Sequence, residues 1–190
     1  MQPVDEILVE QSKKGDLDAF EKLVKRYESK VFNLAYRILG NQVDAYDIAQ
    51  ESFIRLYRAL PSFRGESSLT TWLSRITINV CRDELRRQKR CNLVSLDDNE
   101  SGVKNNTRYR NYVHSEVSSP EEIFERQECY RKIQLCLYDL SEEYRLILVM
   151  RGIQGMSYEE IAEILQCSQG TVKSRLSRAR QLFKEKLKLK

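Results

Sequence analysis

The densest chemistry in the sequence is positive charge. Lys173, Arg175, Arg178, Arg180, Lys184, Lys186, Lys188 and Lys190 face the single acid Glu185 over the last eighteen positions. A second basic run, Arg82, Arg86, Arg87, Lys89 and Arg90, lies near the middle. Such clusters bind polyanions, because each cation neutralises a phosphate and releases counterions, and arginine also reaches base edges. Little else is equipped for reaction chemistry. There is one histidine, His114, and the five cysteines Cys81, Cys91, Cys129, Cys136 and Cys167 never stand in C-x-x-C spacing. A zinc site is therefore not expected, and an enzyme would lack both metal ligands and an acid–base set. The expectation is a protein with no cofactor, metal or small-molecule substrate. Reduced, packed thiols are the default for the cysteines, with Cys129 and Cys136 the one pair to weigh as a redox couple.

The elements that must present these cations are legible as helices. Ser157 followed three residues later by Glu160 is a capping box, so a helix begins there and buries Ile161, Ala162, Ile164 and Leu165. Ser168 offers a second N-cap after a short break, the arrangement of a helix-turn-helix. In the second helix Val172, Leu176 and Ala179 share the buried face. Thr171, Lys173, Ser174, Arg175, Ser177 and Arg178 are left outward, types that suit a DNA major groove. An ordinary amphipathic hairpin with a solvated basic face has the same pattern, and the lysine-rich run behind it favours the polyanion.

The 190 residues are 41% hydrophobic and 32% charged, with a net charge of +4, only 7 glycines and 3 prolines, and no strand-like alternation. Composition thus predicts an all-α protein of one or two small domains. No apolar run approaches the roughly 20 residues needed to cross a bilayer and no signal peptide opens the chain, so a cytoplasmic protein is expected. Residues 1–90 read as one helical domain. A long helix from Asp16 carries Leu23, Tyr27, Val31, Leu34 and Ile38 inward and stops at Gly40. Asp44 is the expected cap of the next helix, which buries Ile48, Ala49, Phe53, Leu56, Tyr57 and Leu60 before Pro61. Ser68 opens a helix with Leu69, Trp72, Leu73, Ile76 and Val80 inside, and this helix runs into the basic residues ending at Arg90. Trp72 lies on that apolar stripe and is expected to pack in the core. Residues 91–119 have no usable period and read as a flexible linker, reaching about 100 Å extended or about 30 Å as a coil. Residues 120–190 form the second domain. Its first helix opens at Pro120 and buries Ile123, Tyr130, Ile133, Leu137 and Leu140, and Ser141 caps the helix that precedes the helix-turn-helix.

Both halves, in order, resemble the extracytoplasmic-function group of sigma-70-like RNA polymerase sigma factors. The matching text is Tyr46-Asp47-Ile48-Ala49-Gln50-Glu51-Ser52-Phe53-Ile54-Arg55, then Phe63-Arg64-Gly65, Thr71-Trp72-Leu73-Ser74-Arg75-Ile76 and Asn79 with the basic run to Arg90. At the far end it is Gly155-Met156-Ser157-Tyr158-Glu159-Glu160-Ile161-Ala162 and Gly170-Thr171-Val172-Lys173-Ser174-Arg175. The resemblance implies a subunit that joins core RNA polymerase through the β′ and β subunits, recognises the −35 and −10 promoter elements and melts the latter. It implies polymerase docking by Asp47, Gln50 and Glu51. For the −10 element it implies Phe63, Arg64, Asn79, Asp83, Arg86 and Arg87 at bases, with Arg82, Lys89 and Arg90 on phosphates. The −35 element falls to Ser168, Thr171, Lys173, Ser174, Arg175 and Arg178. It also implies promoter DNA and an anti-sigma factor, often membrane-anchored, as partners, and acidic residues Asp97, Asp98, Glu100 and Glu116 of the linker near the polymerase centre. One rival stays open, a stand-alone helix-turn-helix transcriptional regulator, which would leave the run from Arg82 to Arg90 idle.

Overall fold

The computed structural model describes residues 3–94 and 120–189, all helix and connecting turns with no strand among them. The linker residues 95–119, with the four acids named above and His114, lie outside the described residues. Helix α1 (Pro3–Lys13) packs on α2 (Leu17–Leu39), followed by α3 (Gln42–Ala59), a 3-10 turn (Leu60–Ser62) and α4 (Leu69–Val94). After the gap come α5 (Pro120–Tyr138), α6 (Glu142–Leu148) with a π-helical turn (Val149–Ile153), α7 (Tyr158–Leu165) and α8 (Gln169–Lys188).

Local chemistry sets most of these boundaries. The Asp16 carboxylate accepts from the Ala19 N–H to open α2, and Gly40 closes it at φ 75°, donating to the Tyr36 carbonyl. The cap of α3 is Asn41, whose side chain accepts from the Val43 N–H, while the expected cap Asp44 sits in the first turn. Asn41 wins because it directly follows the left-handed Gly40, so the chain is already extended there. Helix α4 continues to Val94, four residues past the boundary expected at Arg90. Ser141 precedes α6 without a side-chain cap bond. Tyr57 and Tyr130, expected inside, are 38% and 47% exposed.

The first module has a core of Leu8, Val9, Leu23, Tyr27, Val31, Phe53, Leu56, Leu60, Leu69 and Leu73. Asp5, 3% exposed, ties α1 into it by accepting from Arg26 Nη1 at 2.6 Å and Tyr27 Oη at 2.8 Å. The second core crosses from one module to the other. Leu34, Ile38, Ile78, Cys81 and Leu85 of α2 and α4 are continuous with Leu137, Ile147, Met150, Ile161, Val172 and Leu176 of α5 to α8. The two helical modules therefore share an apolar seam instead of keeping separate cores.

Backbone carbonyls carry much of the polar part of that seam. Arg145 is 7% exposed and its guanidinium donates to the carbonyls of Ile38 (2.7 Å), Leu137 (3.1 Å), Tyr138 (2.9 Å) and Leu140 (3.1 Å), while lying 4.8 Å from the Tyr138 ring centre. These acceptors end α2 and α5, where carbonyls lack helical partners and the helix dipole is negative, so one buried cation satisfies both. Burial draws this guanidinium below its ordinary range, yet arginine stays protonated in proteins. Gln134 donates to the Tyr36 carbonyl at 3.0 Å, Ser74 to Gln154 at 2.9 Å, and Arg75 to Glu160 at 3.2 Å. At Gly40 a Cβ would overlap the Tyr138 ring, so glycine is required there both by its positive φ and by the approach of α5.

Candidate nucleic-acid interface

Helix α8 begins where the Ser168 hydroxyl accepts from the Thr171 N–H at 3.1 Å and meets the Thr171 hydroxyl at 2.9 Å. The capping box of α7 is complete: Glu160 N–H donates to Ser157 Oγ at 3.1 Å, and Ser157 N–H to the Glu160 carboxylate at 2.7 Å. Between the two helices Gln166 takes the left-handed conformation at φ 54°. Val172, Leu176 and Ala179 are buried, which fixes the rotation of α8. At about 100° per residue, Thr171, Ser174, Arg175 and Arg178 then fall within an arc of roughly 100° on the outward side. Lys173 does not join them. It projects from the opposite flank, 5.8 Å from the Tyr158 ring centre, where it suits a phosphate better than a base. Arg175 pairs with Glu143 of α6 at 2.5 Å and is 35% exposed, so its fork is held at the edge of the outward arc.

The outward strip of α4 follows from the same geometry. Asn79, Arg82, Asp83, Arg86 and Arg90 share an arc of about 100°, spread over roughly 16 Å of helix. Asn79, Asp83, Arg86, Arg87, Lys89 and Arg90 are exposed, as is Arg64 in the loop ahead of the helix. Asp83 accepts from Arg55 at 3.1 Å, and Arg87 holds Glu84 at 2.8 and 2.9 Å, drawing the Glu84 carboxyl below its ordinary value. Arg82 is half-buried and donates to the Ile164 carbonyl at the end of α7, and burial beside Arg86 draws its guanidinium down. Lys89 meets Glu142 at 2.6 Å. Among the described residues Arg64, Arg86 and Arg90 make no ion pair.

Phe63 stands elsewhere than expected. It is 7% exposed and stacks on Trp72 with ring centres 4.6 Å apart, so it anchors the loop from beneath and has no face free for a base. Its position after the 3-10 turn, in register with Leu60, points it into the core. The cysteines also settle. Cys129 and Cys136 are seven residues apart on α5, about 10 Å by helical rise, too far for a disulfide. Cys81 is fully buried, which pushes its thiol up and leaves it inert. No group of three or more metal-ligating side chains is present, and no helix is long and apolar enough to cross a membrane, among the described residues.

A third surface lies on α3. Asp47 and Gln50 are exposed and Glu51, half-exposed, accepts from Arg55 at 2.7 Å. These three stand out in the sequence by their polarity, whereas the apolar residues beside them do not, Tyr57 being expected inside. Val43, Tyr46, Ile54 and Tyr57 are 68%, 58%, 45% and 38% exposed and share the arc of Asp47 and Gln50. The signal was available: Val43, Tyr46 and Ile54 fall on the face that amphipathic spacing assigns to water. An apolar patch ringed by acids and amides is built to meet another protein.

Two family profiles match the chain, one in each module. The profile of sigma-70 region 2 matches residues 23–91, and that of sigma-70 region 4 matches residues 130–183. The chain is 38% identical to the ECF RNA polymerase sigma-E factors of Salmonella typhimurium and Escherichia coli K12, over 98% of its own length and 95% of theirs. It is 36% identical to the RNA polymerase sigma-H factor of Pseudomonas aeruginosa, with the same coverage of 98% and 95%. Among solved structures it is similar to the sigma factor RpoE of Bartonella quintana in complex with the anti-sigma factor NepR. That likeness has 25% identity and a TM-score of 0.65, and covers 89% of this chain and 96% of that one. It is also similar to CnrH in complex with the cytosolic domain of CnrY, with 26% identity, a TM-score of 0.62, and 98% and 99% coverage. With both regions matched in order and a helix-turn-helix at the far end, the chain belongs to the extracytoplasmic-function group of sigma-70 family sigma factors.

Proposed function

We propose that the chain docks on core RNA polymerase through α3, reads the −35 element as duplex through α8, and captures and melts the −10 element along α4. The observation that carries this is the presence, on one chain, of two separate arginine-bearing helix faces and a third, apolar-and-amide face of different character. On α8, Thr171, Ser174, Arg175 and Arg178 meet base edges, while Ser168 and Lys173 hold phosphates. On α4, Asn79, Asp83 and Arg86, with Arg64 from the loop, contact unstacked bases; Arg82, Arg87, Lys89 and Arg90 fix the backbone. Capturing a base returns about 1–3 kcal/mol against the few kcal/mol spent unstacking it, so melting needs several such contacts and a platform to hold them. The β′ and β subunits supply that platform. Val43, Tyr46, Ile54 and Tyr57 add contact area to the Asp47, Gln50 and Glu51 face.

The work is binding and positioning, with synthesis left to the polymerase. An anti-sigma factor is the fitting negative regulator, supported by the Bartonella relative held by NepR. A stand-alone regulator would leave the α3 face and the α4 strip without a task. The test is reconstitution: core polymerase plus this chain, with 5′ ends of the transcripts mapped on genomic templates. Start sites sharing a −35 and a −10 sequence are expected. RNA without defined starts overturns the assignment.

A further inference from the structure

A cavity of about 290 Å³ opens between α2, α4 and the end of the π-helical turn. No residue of α3 or α8 lines it. Its α2 wall carries Lys30, Asn33 and Arg37, and its α4 wall carries Ser74 and Thr77. Leu34 and Leu73 give it an apolar floor, and Ile153 and Gln154 close the third side. Lys30 and Arg37 are seven residues apart, so they stand on one side of α2, about 10 Å apart along its axis, with Asn33 between them. Ser74 and Thr77 lie on the far side of α4 from Asn79, Asp83, Arg86 and Arg90, so a strand held on that strip does not enter the cavity.

The polar groups of this cavity are one-sided. No carboxylate lines it. Among the described residues neither Lys30 nor Arg37 makes an ion pair, whereas Lys25 and Arg26 of the same helix each hold an acid. Lys30 lies 5.3 Å from the Tyr27 ring centre, which keeps its ammonium at the rim. The hydroxyls opposite have their protons committed: Ser74 donates to Gln154 Oε1 and Thr77 to the Leu73 carbonyl, both at 2.9 Å. Both hydroxyls thus offer lone pairs only, while Gln154 keeps its two N–H donors. A ligand that fits has an anionic group toward α2, hydrogen-bond donors toward α4 and an apolar face for the floor. We propose that the cavity binds a small nucleotide. Its phosphate sits between Lys30 and Arg37 beside the Asn33 amide, its sugar hydroxyls and base N–H groups face Ser74 and Thr77, and its base lies over Leu34, Leu73 and Ile153. A phosphate monoester carries close to two charges and three acceptor oxygens, enough to engage both cations and the amide together. The volume stands at the lower end of small-molecule sites, about 300–1,000 Å³, which suits a mononucleotide and not a longer strand.

The test is calorimetric titration of the full-length chain with AMP, GMP, CMP and UMP, and with inorganic phosphate and the matching nucleosides as partial probes. At least one nucleotide is expected to saturate a single site with a dissociation constant below about 1 mM. Its nucleoside and inorganic phosphate are each expected to bind roughly tenfold more weakly or worse. Lys30→Gln and Arg37→Gln should each weaken the nucleotide about tenfold. Lys25→Gln removes the same charge from the same helix outside the cavity and should leave binding unchanged. All three positions are at least partly exposed, and circular dichroism checks that each variant keeps its helix content. Absence of saturable binding by all four nucleotides overturns the proposal. So does binding that survives both cavity variants, which would place the anion on the basic faces of α4 or α8. Inorganic phosphate binding as tightly as the nucleotide would leave an anion site only, and displacement of the nucleotide by a −10 single strand would give the cavity to DNA; either result also overturns it. No readout involves polymerase, so failure here leaves the promoter assignment standing.

Discussion

Arg175 pairs with Glu143, so on the proposed reading of α8 its guanidinium would reach the groove already oriented. A bidentate arginine reads one base pair. Arg175→Ala should therefore weaken binding by about 1–3 kcal/mol at one −35 position and leave other positions unchanged. Anisotropy titrations over single-base variants check this, and a uniform loss with a shallower salt slope would mark a phosphate contact. Glu160 works at the same scale but on stability. The Ser157 N–H, with Arg75 nearby, holds its carboxyl below the ordinary 4.5. A depressed folded value means that its stabilisation is complete above 4.5 and fades as the pH falls through the depressed one. Glu160→Gln should melt below wild type at neutral pH and converge with it well below pH 4.5, as thermal melts at the two pH values will show.

At the level of elements, caps and stripes were legible because they depend on neighbours three or four residues away. The capping box at Ser157, the N-cap at Ser168 and the buried stripe of α8 needed nothing else. The turn between α7 and α8 carries a cost that the sequence conceals, since Gln166 occupies a left-handed conformation that suits glycine. Gln166→Gly should raise stability by about 0.5–1 kcal/mol, read from the urea midpoint, without altering DNA affinity. The misplaced elements share one physical reason. Asn41 displaced Asp44 as cap through the φ of the glycine before it. Phe63 turned inward because Trp72 offered it a stacking partner. Both outcomes depend on backbone direction, which residue type alone does not encode.

For the whole molecule, the sequence marked two modules and their order but not that they touch. Leu137 and Ile161 read as the core of one helical module, and Ile38 and Val80 as the core of another. Periodicity shows that a face is buried, not what covers it. The α3 face lies off the seam, so it can be tested apart from the contact between the modules. Ile54→Asp should lower affinity for core polymerase roughly tenfold or more while the scattering profile of the free chain stays unchanged. Loss of compactness in that variant would tie α3 to the seam instead.

The carbonyls that receive Arg145, Gln134 and Arg82 have a wider consequence. A main-chain acceptor is the same whatever side chain its residue carries, so these bonds impose almost no demand on the identity of Ile38, Tyr36 or Ile164. What must match is the glycine facing Tyr138, the apolar positions of the seam and the side-chain pairs Ser74–Gln154, Arg75–Glu160 and Lys89–Glu142. A hybrid of two divergent relatives should thus hold together where those few positions are kept, whatever stands at Tyr36, Ile38 and Ile164.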